Sequence, residues 1–95
     1  MKNPNRKFKD SIYEQFARIG KAVSSPKRLE LLDLICQSVK TVEVLARETG
    51  LSVANASQHL QVLRAARLVY PDGTLPTHVS QVLRAEVAKA LKGIK

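Results

Sequence analysis

The sequence has a single cysteine, Cys36. One cysteine excludes an intramolecular disulfide and any zinc site that needs several cysteines. This usage suits a reducing compartment, and we expect a cytoplasmic protein. Cys36 lies on the apolar side of a predicted helix, which favours a small buried hydrophobe over a reactive thiol.

Long apolar runs are absent as well. The basic segment from Lys2 to Lys9 is not followed by the continuous apolar stretch of a secretory signal. The other apolar stretches are short and interrupted by charge, for example at Asp33. We therefore expect neither a secretory signal nor a membrane-spanning helix.

Acidic residues are scarce relative to basic ones. Lysine and arginine number 16 against 8 Asp and Glu, which gives 95 residues a formal net charge of +8. Such a balance attracts polyanions, with nucleic acid the first candidate and an anionic membrane surface the second. Asp10 and Glu14 among the lysines of the first helix weaken the membrane interpretation. A basic surface kept only for solubility is the remaining alternative.

Recognisable catalytic and metal-binding sets are missing too. The sequence contains no Ser/His/Asp set, no paired carboxylates at a plausible site and no glycine-rich phosphate loop. Its two histidines, His59 and His78, and its scattered acids form no metal cluster. We therefore expect no enzymatic activity, no cofactor and no metal.

Apolar residues recur at helical spacing and predict one mainly α domain of five helices over residues 7–95, after a flexible basic tail at residues 1–6. The second helix starts at Ser25 and Pro26, an N-cap followed by proline at the first helical position. The third runs from Thr41 to a stop at Gly50, and the fourth from about Ser52 to about Arg67.

The first and last helices, the latter from about Thr77 to Leu91, each carry an apolar stripe. A domain this small buries a modest core, so we expect both stripes to form a dimer interface. The alternative is that they close a monomeric core. The predicted interface residues are Phe8, Ile12, Phe16, Ile19, Val79, Val82, Leu83, Val87 and Leu91.

Residues 41–69 carry the spacing of a helix-turn-helix. That motif needs a small residue where its helices cross, a glycine four residues later for the turn, and an apolar residue after it. Ala46, Gly50 and Leu51 occupy these positions. Ala56 and Leu60 lie beneath the second helix of the motif, which is the fourth helix of the chain. The pattern leaves the N-terminal end of that helix free to enter a DNA major groove.

The outward side chains of the motif's second helix, which is the fourth helix of the chain, are short or amide-bearing and carry no negative charge. Asn and Gln pair with adenine edges, alanine contacts the thymine methyl, and serine and the helix N-terminus bind phosphate. The predicted DNA-binding residues are Ser52, Ala54, Asn55, Ser57, Gln58, Gln61 and Arg64. Further phosphate attraction is expected from Lys27, Arg28, Lys40 and Arg47. The alternative is an ordinary helix pair with a polar outer face.

The run from Ser25 to Val69 closely resembles the arsenic-repressor (ArsR) family of winged-helix regulators. The matching pieces are SPKRLELLDLI, VLARETGLS and VANASQHLQVLRAARLV, within about half of the chain. The run is most similar to the subgroup fused to a rhodanese domain, which these 95 residues do not contain. The resemblance implies a homodimer through the first and last helices and an inverted-repeat operator in double-stranded DNA. It also implies repression lifted by an effector, which the sequence does not identify.

The sensor positions of the family differ in this chain. The Cys-X-Cys pair with which many members bind metal corresponds here to Thr41 and Glu43. The last helix offers only His78 and Glu86 for the family's other metal site, at a spacing that does not match. Neither metal site is therefore expected.

The wing differs as well. Residues 68–70 have β character and residues 71–73 form a turn signal, but Pro76 forbids a long returning strand. No basic residue lies between Arg67 and Arg84. The sequence thus predicts a winged helix-turn-helix with a short or lost β-wing.

These features together predict a dimeric, sequence-specific transcriptional regulator, and the resemblance implies a repressor. The alternative is a wing-truncated interaction module that acts through heterodimers. Residues 70–78 discriminate between the two, because a lost hairpin together with a homodimer that does not bind DNA favours the interaction module.

Overall fold

The computed structural model describes residues 4–93, apart from the side chains of Pro4 and Leu91. Within that range the chain forms five helices and no strand, which confirms the mainly α prediction. The helices are α1 (Pro4–Val23), α2 (Pro26–Gln37), α3 (Val42–Thr49), α4 (Val53–Ala65) and α5 (Thr77–Lys92).

Three of the helices begin at a capping hydroxyl, as their sequences predict. Ser25 accepts a hydrogen bond from the Arg28 N–H at 3.3 Å, and Pro26 follows it at the first helical position. Thr41 caps α3 at 3.3 Å through the N–H of Val44. Each cap pairs a backbone donor that the first helical turn leaves without a partner.

Helix α2 lies at the centre of the domain, packed against α1, α3, α4 and α5. Its Leu31 and Leu32 are fully buried, and Leu63 of α4 is fully buried beside them. Leu45 of α3 and Ala22 of α1 complete the same cluster. Because α3 and α4 pack on this core, the helix-turn-helix has a fixed orientation.

Helix α1 starts earlier than the sequence predicted. It begins at Pro4, so residues 4–6, which were assigned to a flexible tail, form its first turn. Proline is well suited to the first turn of a helix, where its missing N–H costs nothing. Arg6 pairs with Asp10 one turn later at 2.8 Å, which further supports this end of α1. Residues 1–3 lie outside the described residues.

Helix α4 ends at Ala65, two residues before the predicted end. Arg67 adopts φ +61°, in the left-handed region, and its N–H donates to the Arg64 carbonyl at 2.9 Å. The Leu68 N–H donates to the Leu63 carbonyl at 3.0 Å. This is the pattern with which a left-handed residue, usually glycine, closes a helix.

Replacing Arg67 with glycine is expected to raise the free energy of unfolding by about 1 kcal/mol, because glycine adopts this backbone conformation without steric cost. Arg64→Gly removes the same charge within the helix and should lower it by about 1 kcal/mol. Urea denaturation of both variants measures the difference. Equal destabilisation by the two substitutions would show that the left-handed strain is negligible.

The wing segment folds as a tight turn without strands. The Tyr70 N–H donates to the Thr74 carbonyl at 2.8 Å, and Gly73 takes φ +88° between them. Asp72 Oδ1 accepts from the Thr74 hydroxyl at 2.7 Å and from the Thr74 N–H at 3.0 Å. These two bonds, the hydroxyl first, hold the pKa of Asp72 below its ordinary value.

The residues with β character just before this turn are part of the core. Leu68 and Val69 are buried, and Pro76 is buried after the turn. A short apolar run is compatible either with a strand or with a buried core segment, and here burial prevails. Of the two predicted outcomes, a short wing or a lost one, the described residues therefore show the second.

Candidate nucleic-acid interface

The turn between α3 and α4 is closed by backbone hydrogen bonds around Gly50. Gly50 takes φ +72° and ψ +21°, and its N–H donates to the carbonyls of Ala46 and Arg47. The Leu51 N–H donates to the Ala46 carbonyl at 2.9 Å. Ser52 then caps α4 by accepting from the Asn55 N–H at 3.1 Å. These contacts set the angle at which α4 leaves the turn.

The two helices of the motif meet at small side chains. Ala46 of α3 and Ala56 of α4 are both buried, and Leu51 packs against the core between them. Thr49 is buried, with its hydroxyl donating to the Leu45 carbonyl at 2.7 Å. Helices α3 and α4 are in contact, and the buried side chains of both hold α4 against the domain.

The opposite side of α4 is exposed. Ala54, Asn55, Gln58 and Gln61 are exposed, and Ser57 is half-buried. Asn55, Gln58 and Gln61 make no side-chain hydrogen bond within residues 4–93. The helix contains no acidic residue. This face therefore presents amide donors and acceptors, with small side chains between them, on a rigid support.

Two of the lysines expected to attract phosphate have a different role. Lys27 Nζ donates to the Thr49 carbonyl at the end of α3 and pairs with Glu30 at 3.3 Å. Lys40 Nζ donates to the Leu34 carbonyl at 2.7 Å and to the Ser38 carbonyl at 3.3 Å, at the end of α2. A cation at a helix C-terminus pairs carbonyls that have no helical partner.

The expected arginines divide between the interior and the surface. Arg28 is half-buried and donates to the carbonyls of Ala22 and Lys21 at 2.8 and 2.9 Å, so it too points inward. Arg47 and Arg64 are exposed and form no side-chain hydrogen bond or ion pair in the described part of the chain. Of the five basic side chains assigned to phosphate, these two make no other polar contact in the described residues.

The apolar stripes of α1 and α5 divide in the same way. Their most exposed members are Phe8, Phe16 and Val82, and Val87 is also exposed. The half-buried members, Ile12, Ile19, Val79 and Leu83, lie nearer the domain, and all of these but Ile12 pack against the core cluster. The Leu91 side chain lies outside the described residues. Each stripe thus packs against the core along one side and leaves apolar side chains exposed along the other.

Two polar links to α4 were not predicted from the sequence. Gln15 Nε2 of α1 donates to the Ala66 carbonyl at 3.0 Å, just beyond the end of α4. Arg28 Nη1 lies 3.2 Å from Nδ1 of the half-buried His59. Both contacts join residues distant in sequence, and no local pattern marks such pairs.

Two of the residues at the sensor positions, Thr41 and Glu86, make structural contacts. Thr41 is a helix cap, and Glu86 pairs with Lys89 at 3.4 Å while His78 is exposed. The Cys36 thiol is half-buried, 3.9 Å from the Ser80 carbonyl. In the part of the chain that the structure describes, no three His, Cys, Asp or Glu side chains are grouped to hold a metal ion. Among the same residues, no helix has the length and apolarity needed to cross a bilayer.

Comparison with known families agrees with this geometry. The family model described as bacterial regulatory protein, arsR family, matches residues 25–70, from the cap of α2 to the turn after α4. Residues 25–70 are thus similar to the helix-turn-helix of the ArsR family.

Curated relatives are similar over about two thirds of this chain. The HTH-type transcriptional regulator Rv0324 of Mycobacterium tuberculosis is 41% identical over 61 residues, which are 64% of this chain and 27% of that protein. The nodulation protein NolR of Rhizobium meliloti is 41% identical over 66 residues, 70% of this chain and 52% of NolR. The chain therefore spans from about a quarter to about half of the length of these relatives.

A solved structure matches beyond residues 25–70 and includes α1 and α5. It is the solution NMR structure of fragment 1–100 of Mb0332 from Mycobacterium bovis, a homodimeric winged helix-turn-helix DNA-binding domain. The TM-score is 0.76 at 29% sequence identity, and the match covers 100% of this chain and 94% of that one. The likeness thus extends to both helices that carry the apolar stripes.

Proposed function

We propose that this chain binds double-stranded DNA as a homodimer and represses transcription, with α4 as the recognition helix in the major groove. The observation that carries the proposal is the outer face of α4. There Asn55, Gln58 and Gln61 are exposed and unpaired within residues 4–93, and the helix has no acidic residue. Free amide side chains on a helix can pair with adenine edges.

Phosphate contacts would position this helix. The Ser52 oxygen accepts from the Asn55 N–H, which leaves the hydroxyl proton free to donate to a phosphate at the N-terminus of α4. Arg47 and Arg64 are exposed and have no anionic partner among the described residues. The remaining N–H groups of the first turn of α4 add to this attraction.

Dimerisation would supply the spacing of the operator. Phe8 and Phe16 of α1 and Val82 and Val87 of α5 are exposed apolar side chains on the two helices predicted to form the interface. The homodimeric structure of the Mb0332 domain supports this arrangement. A two-fold dimer places its recognition helices about 34 Å apart, one turn of DNA, and therefore reads an inverted repeat.

Two variants separate base reading from phosphate binding. Gln58→Ala should reduce the preference for a selected operator over random DNA about tenfold, because it removes one bidentate base contact. Arg64→Ala should weaken binding to both duplexes about equally. It should also reduce the slope of log affinity against log salt concentration by about one. Selection from a random duplex pool, followed by titration at two salt concentrations, provides both measurements.

The same measurements distinguish the proposed function from its alternative. If Gln58→Ala left the operator preference intact, the assignment of α4 as the reader would be wrong. A wild-type dimer that prefers no duplex would favour an interaction module acting through heterodimers. The absence of strands over residues 68–76 supports that alternative, because wing contacts to DNA would then be missing.

A further inference from the structure

The guanidinium of Arg28 joins three helices inside the domain. From α2, its Nε donates to the Ala22 carbonyl at 2.8 Å and its Nη2 to the Lys21 carbonyl at 2.9 Å, both at the end of α1. Its third nitrogen, Nη1, lies 3.2 Å from Nδ1 of His59 in α4. One side chain therefore connects the last turn of the proposed dimerisation helix to the proposed recognition helix.

We propose that Arg28, acting through His59, is a positioning residue that sets the angle of α4 relative to α1. Three donors in a rigid planar fork fix direction as well as distance, which a single ammonium cannot do. Arg28 therefore positions the recognition helix and does not itself contact phosphate. The inference rests on the proposed function of α4 and adds the means by which dimer geometry reaches it.

The contact requires a neutral imidazole. Arginine has donors only, so Nδ1 of His59 must accept and the ring proton must lie on Nε2. Protonating the ring removes that acceptor and places a second cation 3.2 Å from the guanidinium. The hydrogen bond between Arg28 and His59 is then lost, and the two positive charges repel each other.

No carboxylate offsets this repulsion in the described residues. Neither Arg28 nor His59 belongs to an ion pair there, and the neighbouring Glu30 is paired with Lys27. On α1 the charged residue of this network is Lys21, whose side chain is exposed. The charged residues of α3, the remaining helix against α4, are Glu43, Arg47 and Glu48, all exposed and with no bond to the ring.

Conservative variants test the positioning role. Arg28→Lys keeps the charge but cannot hold all three acceptors, and Arg47→Lys makes the same exchange at an exposed position with no partner in residues 4–93. His59→Gln keeps an acceptor for the guanidinium. The readouts are backbone hydrogen-exchange protection factors in α3 and α4, and the ratio of affinities for a selected and a random duplex.

We expect Arg28→Lys to lower both the protection of α4 and the affinity ratio about tenfold, and Arg47→Lys to change the protection of α4 less than about twofold. His59→Gln, which keeps an acceptor for the guanidinium, should stay within about twofold of wild type in both readouts.

Two results would overturn the proposal. One is equal protection of α4 in Arg28→Lys and Arg47→Lys, and the other is a protection of α4 in His59→Gln that falls as far as it does in Arg28→Lys. A wild-type chain that prefers no duplex would contradict the proposed function instead. The protection factors do not involve DNA, so they still decide the role of Arg28 in that case.

Discussion

Replacing Phe16 with aspartate is expected to leave the chain folded and to abolish the dimer. The Phe16 side chain is 63% exposed in the single chain, so the substitution removes little from the core. In the proposed interface the new carboxylate would be buried without a partner, at a cost of about 3–5 kcal/mol per copy. A loss of this size weakens dimerisation at least about a hundredfold. Sedimentation at micromolar concentration measures it, and circular dichroism checks the fold.

Val39→Asp is the matched control for this substitution. Val39 is 64% exposed, close to the value for Phe16, but lies between α2 and α3, outside both predicted interface helices. We expect it to remain dimeric and to keep the operator preference, whereas Phe16→Asp should lose the preference for an inverted repeat. A Phe16→Asp protein that stays dimeric would show that α1 does not form the interface.

Shortening Leu63 to alanine is expected to produce the largest loss of stability. Leu63 is fully buried on the inner side of α4, against the central helix α2. Leucine-to-alanine changes at such positions cost about 3 kcal/mol, because the lost transfer free energy adds to that of the cavity. That is a large fraction of the 5–15 kcal/mol typical of a domain. Urea denaturation at a fixed protein concentration measures it, since dimerisation contributes to the apparent stability.

The control is a second variant at the same exposed position, Val39→Ala. It should change the free energy of unfolding by less than about 0.5 kcal/mol because the side chain is already exposed. If both substitutions cost the same, Leu63 would not lie in a close-packed core. An apparent operator affinity that follows the folded fraction of the variant would further show that Leu63 acts through stability and not through DNA contact.

The features that the sequence predicts well are local ones. The cap residues Ser25, Thr41 and Ser52 each accept a hydrogen bond from the backbone N–H three residues later. The glycine at position 50 is four residues from Ala46, the small residue at the helix crossing. These patterns act within a single turn of chain, so the starts of α2, α3 and α4 and the helix-turn-helix itself can be predicted without knowledge of the tertiary structure. The start of α1 at Pro4 has a local signal too, since proline favours the first turn of a helix.

The features that the sequence does not predict depend on distant partners. A basic residue looks the same in sequence whether it faces solvent or closes a helix end, and Lys27, Arg28 and Lys40 all do the latter. The end of α4 gave no signal either, because Arg67 occupies a position that usually carries glycine. The internal hydrogen bonds of these three side chains therefore could not be predicted from the sequence, and their assignment to phosphate stays a prediction.

The lost hairpin also bears on how quickly the chain reaches this structure. Without strands, the core is built mainly from helices that are neighbours in sequence, and the connections are short at residues 24–25, 38–41 and 50–52. Chains with such local topology fold in microseconds to milliseconds, since little loop closure precedes the stabilising contacts. In the proposed homodimer, pairing of the two subunits would be a second-order step that slows with dilution. Newly made chains at low copy number would therefore complete their helical core long before they meet a partner.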